Sequence, residues 1–118
     1  NYKIKKIQPD GKGTTLAGSI HGSAKGVGTA AQFDFPHSIA MSPDGYLYVS
    51  DLYNHIIRKI SLNGNVKTLA GMSGSDGFMN GEAEDAVFNE PNGLAATADG
   101  TLYIADFNNH KIRKITQE

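Results

Sequence analysis

Apolar residues in this chain come in short runs, alternating with polar ones or rich in β-formers, and each run is closed by a turn signal. No window sustains a helical period. "HSIAM" (37–41) runs into the turn "SPDG", and "YLYVS" (46–50) follows with strict alternation and β-prone residues. A short link, "DLYN", leads into "HIIRKI" (55–60). Asn63-Gly64 then marks a hairpin, and "VKTLAG" (66–71) supplies a fourth strand. The order returns as "NGLAA", "ADG", "TLYIA", "DFNN" and "HKIRKI", so the pattern predicts one four-stranded unit used repeatedly.

The repeat is the strongest signal. Asn54-His55 recurs at Asn109-His110, an offset of 55, and residues 33–60 share 14 of 28 positions with residues 88–115. An earlier copy starts the chain: residues 1–18 align with 54–71 at an offset of 53. The two-residue difference falls in the Gly-rich segment between Gly18 and Phe33, where a variable loop between constant elements belongs. Four short antiparallel strands per unit at this period read as the blades of a β-propeller, an all-β fold.

The line "FNEPNGLAATADGTLYIADFNNHKIRKI" resembles an NHL repeat, named for Asn-His-Leu. Asn54-His55 and Asn109-His110 carry the signature, with Ile or Lys where Leu would follow, and "TLAG…G…A-x-F-x-x-P" is similar to long-loop bacterial and animal members. The resemblance implies a six-bladed ring. Lettering strands A to D from the axis outward, residues 1–18 supply strands C–D, 36–71 a complete blade and 91–118 strands A–B–C, with long inter-blade loops at 19–35 and 72–90. About two blades leave apolar faces open, because stacked repeats bury their faces on one another. Further blades of a longer chain, or a homo-oligomer, are therefore expected partners; three copies would supply roughly six blades.

Composition narrows the function classes. Eleven Lys plus Arg against twelve Asp plus Glu leave a net charge of -1, with no global drive toward nucleic acid or an anionic membrane. No apolar run approaches the roughly 18 residues that span a bilayer. The absence of cysteine excludes disulfides, thiolate metal sites and cysteine nucleophiles. It does not set the compartment; an extracytoplasmic or secreted setting is the expectation. No Gly-x-Ser-x-Gly elbow, phosphate loop or His-Glu-x-x-His helix occurs, and Gly26-Val27-Gly28 lacks the helix a dinucleotide site needs.

Asp51, Asn54 and His55, with Asp106, Asn109 and His110, look like chemistry but recur once per unit. An active site needs one such pair, so a structural network is expected: an Asx-type link, with His donating to a neighbouring blade. His37, opposite Asn92 in the next copy, opens an innermost strand near the axis, too little by itself for a metal. The D–A loops and B–C links share one face. They carry the candidate binding residues His21, Lys25, Tyr53, Asp76, Phe78, Asn80, Glu82 and Phe107, although Tyr53 and Phe107 would serve equally as wedges between blades. The acids between 76 and 85 lack the order of a known calcium loop. The basic runs Lys3/Lys5/Lys6, Arg58/Lys59 and Lys111/Arg113/Lys114 read as a solvated strand, with RNA binding the sharper alternative.

The leading reading is a non-enzymatic scaffold binding a protein or glycan partner on the loop face, with no cofactor and no bound metal. Part of a propeller enzyme with an axial metal (a lyase or lactonase), or an RNA-binding module, are the alternatives.

Overall fold

In the computed structural model, which describes residues 1–71 and 87–116, the expected strands form antiparallel sheets stacked side by side. Strands β1 (Lys3–Ile7) and β2 (Gly13–Gly18) make the first. The second carries β4 (Pro36–Met41), β5 (Leu47–Asp51), β6 (Ile56–Ile60) and β7 (Asn65–Gly71), in that order from its inner edge outward. Beyond β7 lies β3 (Gly26–Val27), where Gly26 pairs with Val66 and Val27 with Asn65. The third sheet holds β8 (Pro91–Ala96), β9 (Leu102–Asp106) and β10 (Lys111–Ile115). The segment between β2 and β4 thus adds an outer strand to the central sheet, and it also puts Ala31 and Phe33 into the core.

The period of two decides the packing. On β5, Val49 faces the first sheet in a cluster with Ile4, Ala17, Phe33, Ile60 and Val66, while Leu47 packs alongside. Tyr48 points the other way and joins Ile57, Ala70, Phe88, Leu102 and Ile104 against the third sheet. Over β5 to β7 both faces of the central sheet are therefore dry, as stacked blades require, while Ile39 and Met41 on β4 stay exposed.

What locks each sheet to the preceding segment is a buried ion pair. The Asp51 carboxylate ends β5, and its Oδ1 accepts the Asp34 N–H at 2.7 Å. Its Oδ2 accepts Asn54 Nδ2 at 2.8 Å and Arg58 Nη1 at 2.9 Å. Arg58 also donates to the Gln32 and Ala24 carbonyls, and its guanidinium lies 5.0 Å from the Phe33 ring centroid. The third sheet repeats the arrangement: Asp106 accepts from the Asn89 N–H, Asn109 and Arg113, and Arg113 sits 4.8 Å from the Phe88 centroid.

Two expectations from the sequence are corrected here. Arg58 and Arg113 are buried and do not belong to a solvated basic strand, because alternate positions of β6 and β10 face the preceding unit; β6 is moreover flanked by β5 and β7. The Asp-to-His link is a single 3-10 turn (Leu52–Asn54, Phe107–Asn109) ending in a left-handed histidine, His55 at φ 60° and His110 at φ 57°. A polar residue tolerates that conformation better than most, which explains a histidine there. His55 accepts where donation was expected: its Nδ1 receives the Glu90 N–H at 3.0 Å, tying the central sheet to the third.

Burial pushes the Asp51 carboxyl up from its ordinary value and the Arg58 guanidinium down, against the pull of Asn54, the Asp34 N–H and the ion pair itself. Replacing Arg58 by Met should cost about 3–5 kcal/mol, since it strands a buried carboxylate. A carboxyl whose folded value lies above its unfolded one favours the fold at low pH, and that advantage is lost as pH rises through the folded value. The Arg58→Met penalty, read by denaturant unfolding, should therefore be smaller at about pH 5 than at about pH 8. An equal penalty at both would mean that Asp51 is not the stranded group.

Gly71 has φ +92°, and a Cβ there would sit 2.6 Å from the His55 carbonyl oxygen and 3.1 Å from the Ile56 Cα. Gly100 has a similar φ of +85° but open space around it. Gly71→Ala should lower stability by more than the ~1–2 kcal/mol of the left-handed backbone alone, and Gly100→Ala by no more than that. Paired urea midpoints check the difference.

Candidate functional site

The 3-10 turns and the ends of the segments that precede β4 and β8 lie at one end of the sheets, with the β4–β5 and β6–β7 turns at the other. On the first of these ends the sequence builds a cluster of rings. Phe35 precedes Pro36, so the right-handed helical region is disfavoured for it, and it adopts φ +66°, a conformation rare for a bulky residue. The Phe35 carbonyl accepts the Leu52 N–H at 3.2 Å and the Asp34 carbonyl accepts the Tyr53 N–H at 3.1 Å, which hold the strained residue against the 3-10 turn. The Phe35 ring consequently meets Tyr53 edge-on at 5.3 Å and stacks on His37 at 5.8 Å, and all three side chains remain exposed.

The next unit builds the same place from other chemistry. Glu90 takes the position of Phe35 with φ 54°, and Asn108 takes that of Tyr53. Asn108 donates its backbone N–H to the Asn89 carbonyl at 3.0 Å, and its side-chain amide to the Glu90 carboxylate. The Glu90 N–H, by donating to His55 Nδ1, ties the second place to the end of the 3-10 turn that carries Tyr53.

The residues expected on this face are distributed as follows. Tyr53 belongs to the ring cluster and does not wedge between sheets, and Phe107 is exposed on the next turn, where its repeat equivalent Leu52 is buried. His21 bridges to Phe33 and lies 5.7 Å from the Tyr2 ring, while Lys25 is exposed nearby in the chain. Asp51, Asn54, Asp106 and Asn109 work in the buried networks, not at the surface face; His55 bridges units and His110 is exposed. Asp76, Phe78, Asn80 and Glu82 lie outside the described residues. Sequence reasoning missed Phe35, Glu90 and Asn108, and placed His37 only by its nearness to the axis. The available signal was positional: each is either the residue before an A-strand proline or the third residue of a B–C link.

Elsewhere the described surface offers a second feature. A depression of about 360 Å³ lies at the opposite end among Asp44, Tyr46, Leu62 and Asn63. The Ser42 hydroxyl and the Tyr46 N–H hold the Asp44 carboxyl below the ordinary carboxylate value there. Among the described residues no three His, Asp or Glu side chains converge as a metal site would need. Among the described residues no helix is long and apolar enough to cross a membrane.

The NHL repeat family model matches residues 33–60 and 88–115. The protein SUPPRESSOR OF QUENCHING 1, chloroplastic, of Arabidopsis thaliana is 41% identical over 95 residues, 80% of this chain and 9% of that protein. NHL repeat-containing protein 2 of Bos taurus is 36% identical over 100 residues, 82% of this chain and 14% of that protein. Among solved structures, a protein of unknown function from Bacteroides thetaiotaomicron superposes with a TM-score of 0.88 at 29% identity, over 96% of this chain and 29% of that one. An auxiliary nutrient binding protein from Bacteroides ovatus follows at 0.80 and 27%, over 97% of this chain and 32% of that one. The chain thus spans 9% and 14% of the two curated relatives and about a third of the solved structures. The matched repeats coincide with the stretches that carry the Asp–Asn–Arg networks, and the chain belongs to the NHL-repeat β-propeller family.

Proposed function

We propose that this chain is a non-enzymatic interaction module that holds a protein or glycan partner on the face formed by its 3-10 turns and the segments before β4 and β8. The observation that carries the reading is the exposed ring cluster of Phe35, Tyr53 and His37, held by a strained backbone that the fold has to stabilise. Exposed aromatics on a rigid frame are what partners bury first. The similarity to an auxiliary nutrient binding protein lends support at the level of a binding role. RNA is disfavoured, since burial of Arg58 and Arg113 removes two cations from the basic runs and the same face carries an acid, Glu90.

Thermal unfolding against a panel of protein and glycan ligands tests this. A ligand at a hundred times its Kd should raise the wild-type Tm by several degrees, and Tyr53→Ala/Phe107→Ala should abolish the rise. A rise that survives in that variant, and is lost instead when Tyr46 and Leu62 at the other end are replaced, would overturn it.

We further propose that the open sheet faces take another blade of the same kind. Tyr48 and Ile57 are fully buried by the third sheet, whereas their repeat equivalents Tyr103 and Ile112 are 40% and 73% exposed. Light scattering on the eluting peak of a size-exclusion column reads the outcome. A species near three times 12.6 kDa supports closure between copies, and a monomer stabilised by appended blades supports closure within a longer chain. A monomer indifferent to added blades would sink the proposal.

A further inference from the structure

We infer that the residue before each A-strand proline and the middle residue of each 3-10 turn form a recognition pair, and that the pairs Phe35/Tyr53 and Glu90/Asn108 together bind a neutral carbohydrate. The inference rests on the loop-face reading above and names its ligand. The two pairs occupy equivalent positions, 55 residues apart, and the frame beneath them is the same: an Asp-capped strand end, a 3-10 turn, and a left-handed residue before proline. Frame residues are retained between the units, with Asp51, Asn54 and Arg58 matching Asp106, Asn109 and Arg113, while the displayed side chains change from two rings to an acid and an amide. A surface that varies its side chains on a constant frame has the form of a recognition surface.

The chemistry selects the ligand. Phe35 and Tyr53 are each about half exposed, so with some 150–250 Å² of total surface apiece they offer about 200 Å² between them. That is well below the ~800 Å² per partner of a stable protein interface, and close to what one or two sugar rings cover with their C–H faces. Glu90 and Asn108, already hydrogen-bonded to each other, present a carboxylate and an amide whose remaining acceptor and donor sites suit neighbouring hydroxyls. Glu90 repels an anionic ligand, and an uncharged polyol offers C–H faces to the rings and hydroxyls to the acid and amide, which satisfies both pairs. The ring contact within the first pair and the side-chain hydrogen bond within the second already restrict these side chains, so less ordering remains to oppose binding.

Affinity electrophoresis of the 118-residue chain tests the inference. Native gels each contain one soluble polysaccharide: galactomannan, xyloglucan, mixed-linkage glucan, dextran, or polygalacturonate as the anionic control. At least one neutral glycan should retard the protein and polygalacturonate should not. Phe35→Asn keeps a residue tolerant of the left-handed backbone while removing the ring, so folding is preserved. It should weaken the retarding interaction about tenfold, as Tyr53→Ala should. Glu90→Gln, which retains hydrogen bonding, should bind far better than Glu90→Ala. If no neutral glycan retards the chain, while a protein ligand gives a thermal shift that Phe35→Asn abolishes, the carbohydrate assignment fails and the loop face stands. Retardation unchanged in Phe35→Asn and Tyr53→Ala would overturn the recognition pairs themselves.

Discussion

The buried pair of Asp51 and Arg58 organises its surroundings, because a charge taken out of water has to find its partners in the fold. Burial alone would push Asp51 toward its neutral form and Arg58 toward its neutral form as well; the hydrogen bonds from Asp34, Asn54 and Arg58 oppose this. Those partners come from three places: the segment before β4, the 3-10 turn and β6. Satisfying one carboxylate therefore sets the position of all three. An apolar cluster of similar volume can be equally stable, but it does not dictate which backbone N–H must approach within 3 Å. The ring stacked under Arg58 adds an apolar partner for the flat guanidinium, so that Phe33 serves both the core and the network.

The loop face inherits its order from that network. Asp34 donates to Asp51 through its N–H and accepts from Tyr53 through its carbonyl, so one residue joins the buried pair to the exposed ring cluster. Phe35 follows immediately and has no freedom to relax its positive φ, being pinned by the Leu52 N–H on one side and by proline on the other. In the next unit His55 takes part in the same role from across the sheet boundary by accepting the Glu90 N–H. Strain of this kind persists only where the surroundings over-determine it, and here the surroundings are a buried ion pair and a sheet end.

The architecture was legible because its signals are local and repeated. Alternation in "YLYVS", the Asn63-Gly64 turn and the 55-residue offset of Asn54-His55 each depend on near neighbours, and the strands fall within a residue or two of where these place them. The structural role of Asp51 and Asn54 was also readable, since repetition itself argues against a unique active site. Their partner was not. Arg58 sits in a run with Lys59 that looks solvated, and only the sheet decides that the arginine side faces inward while Lys59 lies 4.1 Å from the Tyr46 ring centroid.

The sequence by itself therefore determined the β class, the repeat, the blade-like unit and the end of the sheets that carries the variable loops, all of which follow from spacing along the chain. The tertiary structure decided what spacing cannot encode: that Arg58 and Arg113 are buried, that His55 accepts rather than donates, and that Phe35 meets Tyr53 across 18 residues of chain. The reason is physical. Alternation says that neighbouring side chains point opposite ways, but which way is inside depends on the sheet stacked against them, and a proline-restrained residue shows its side chain only once its carbonyl has found a donor.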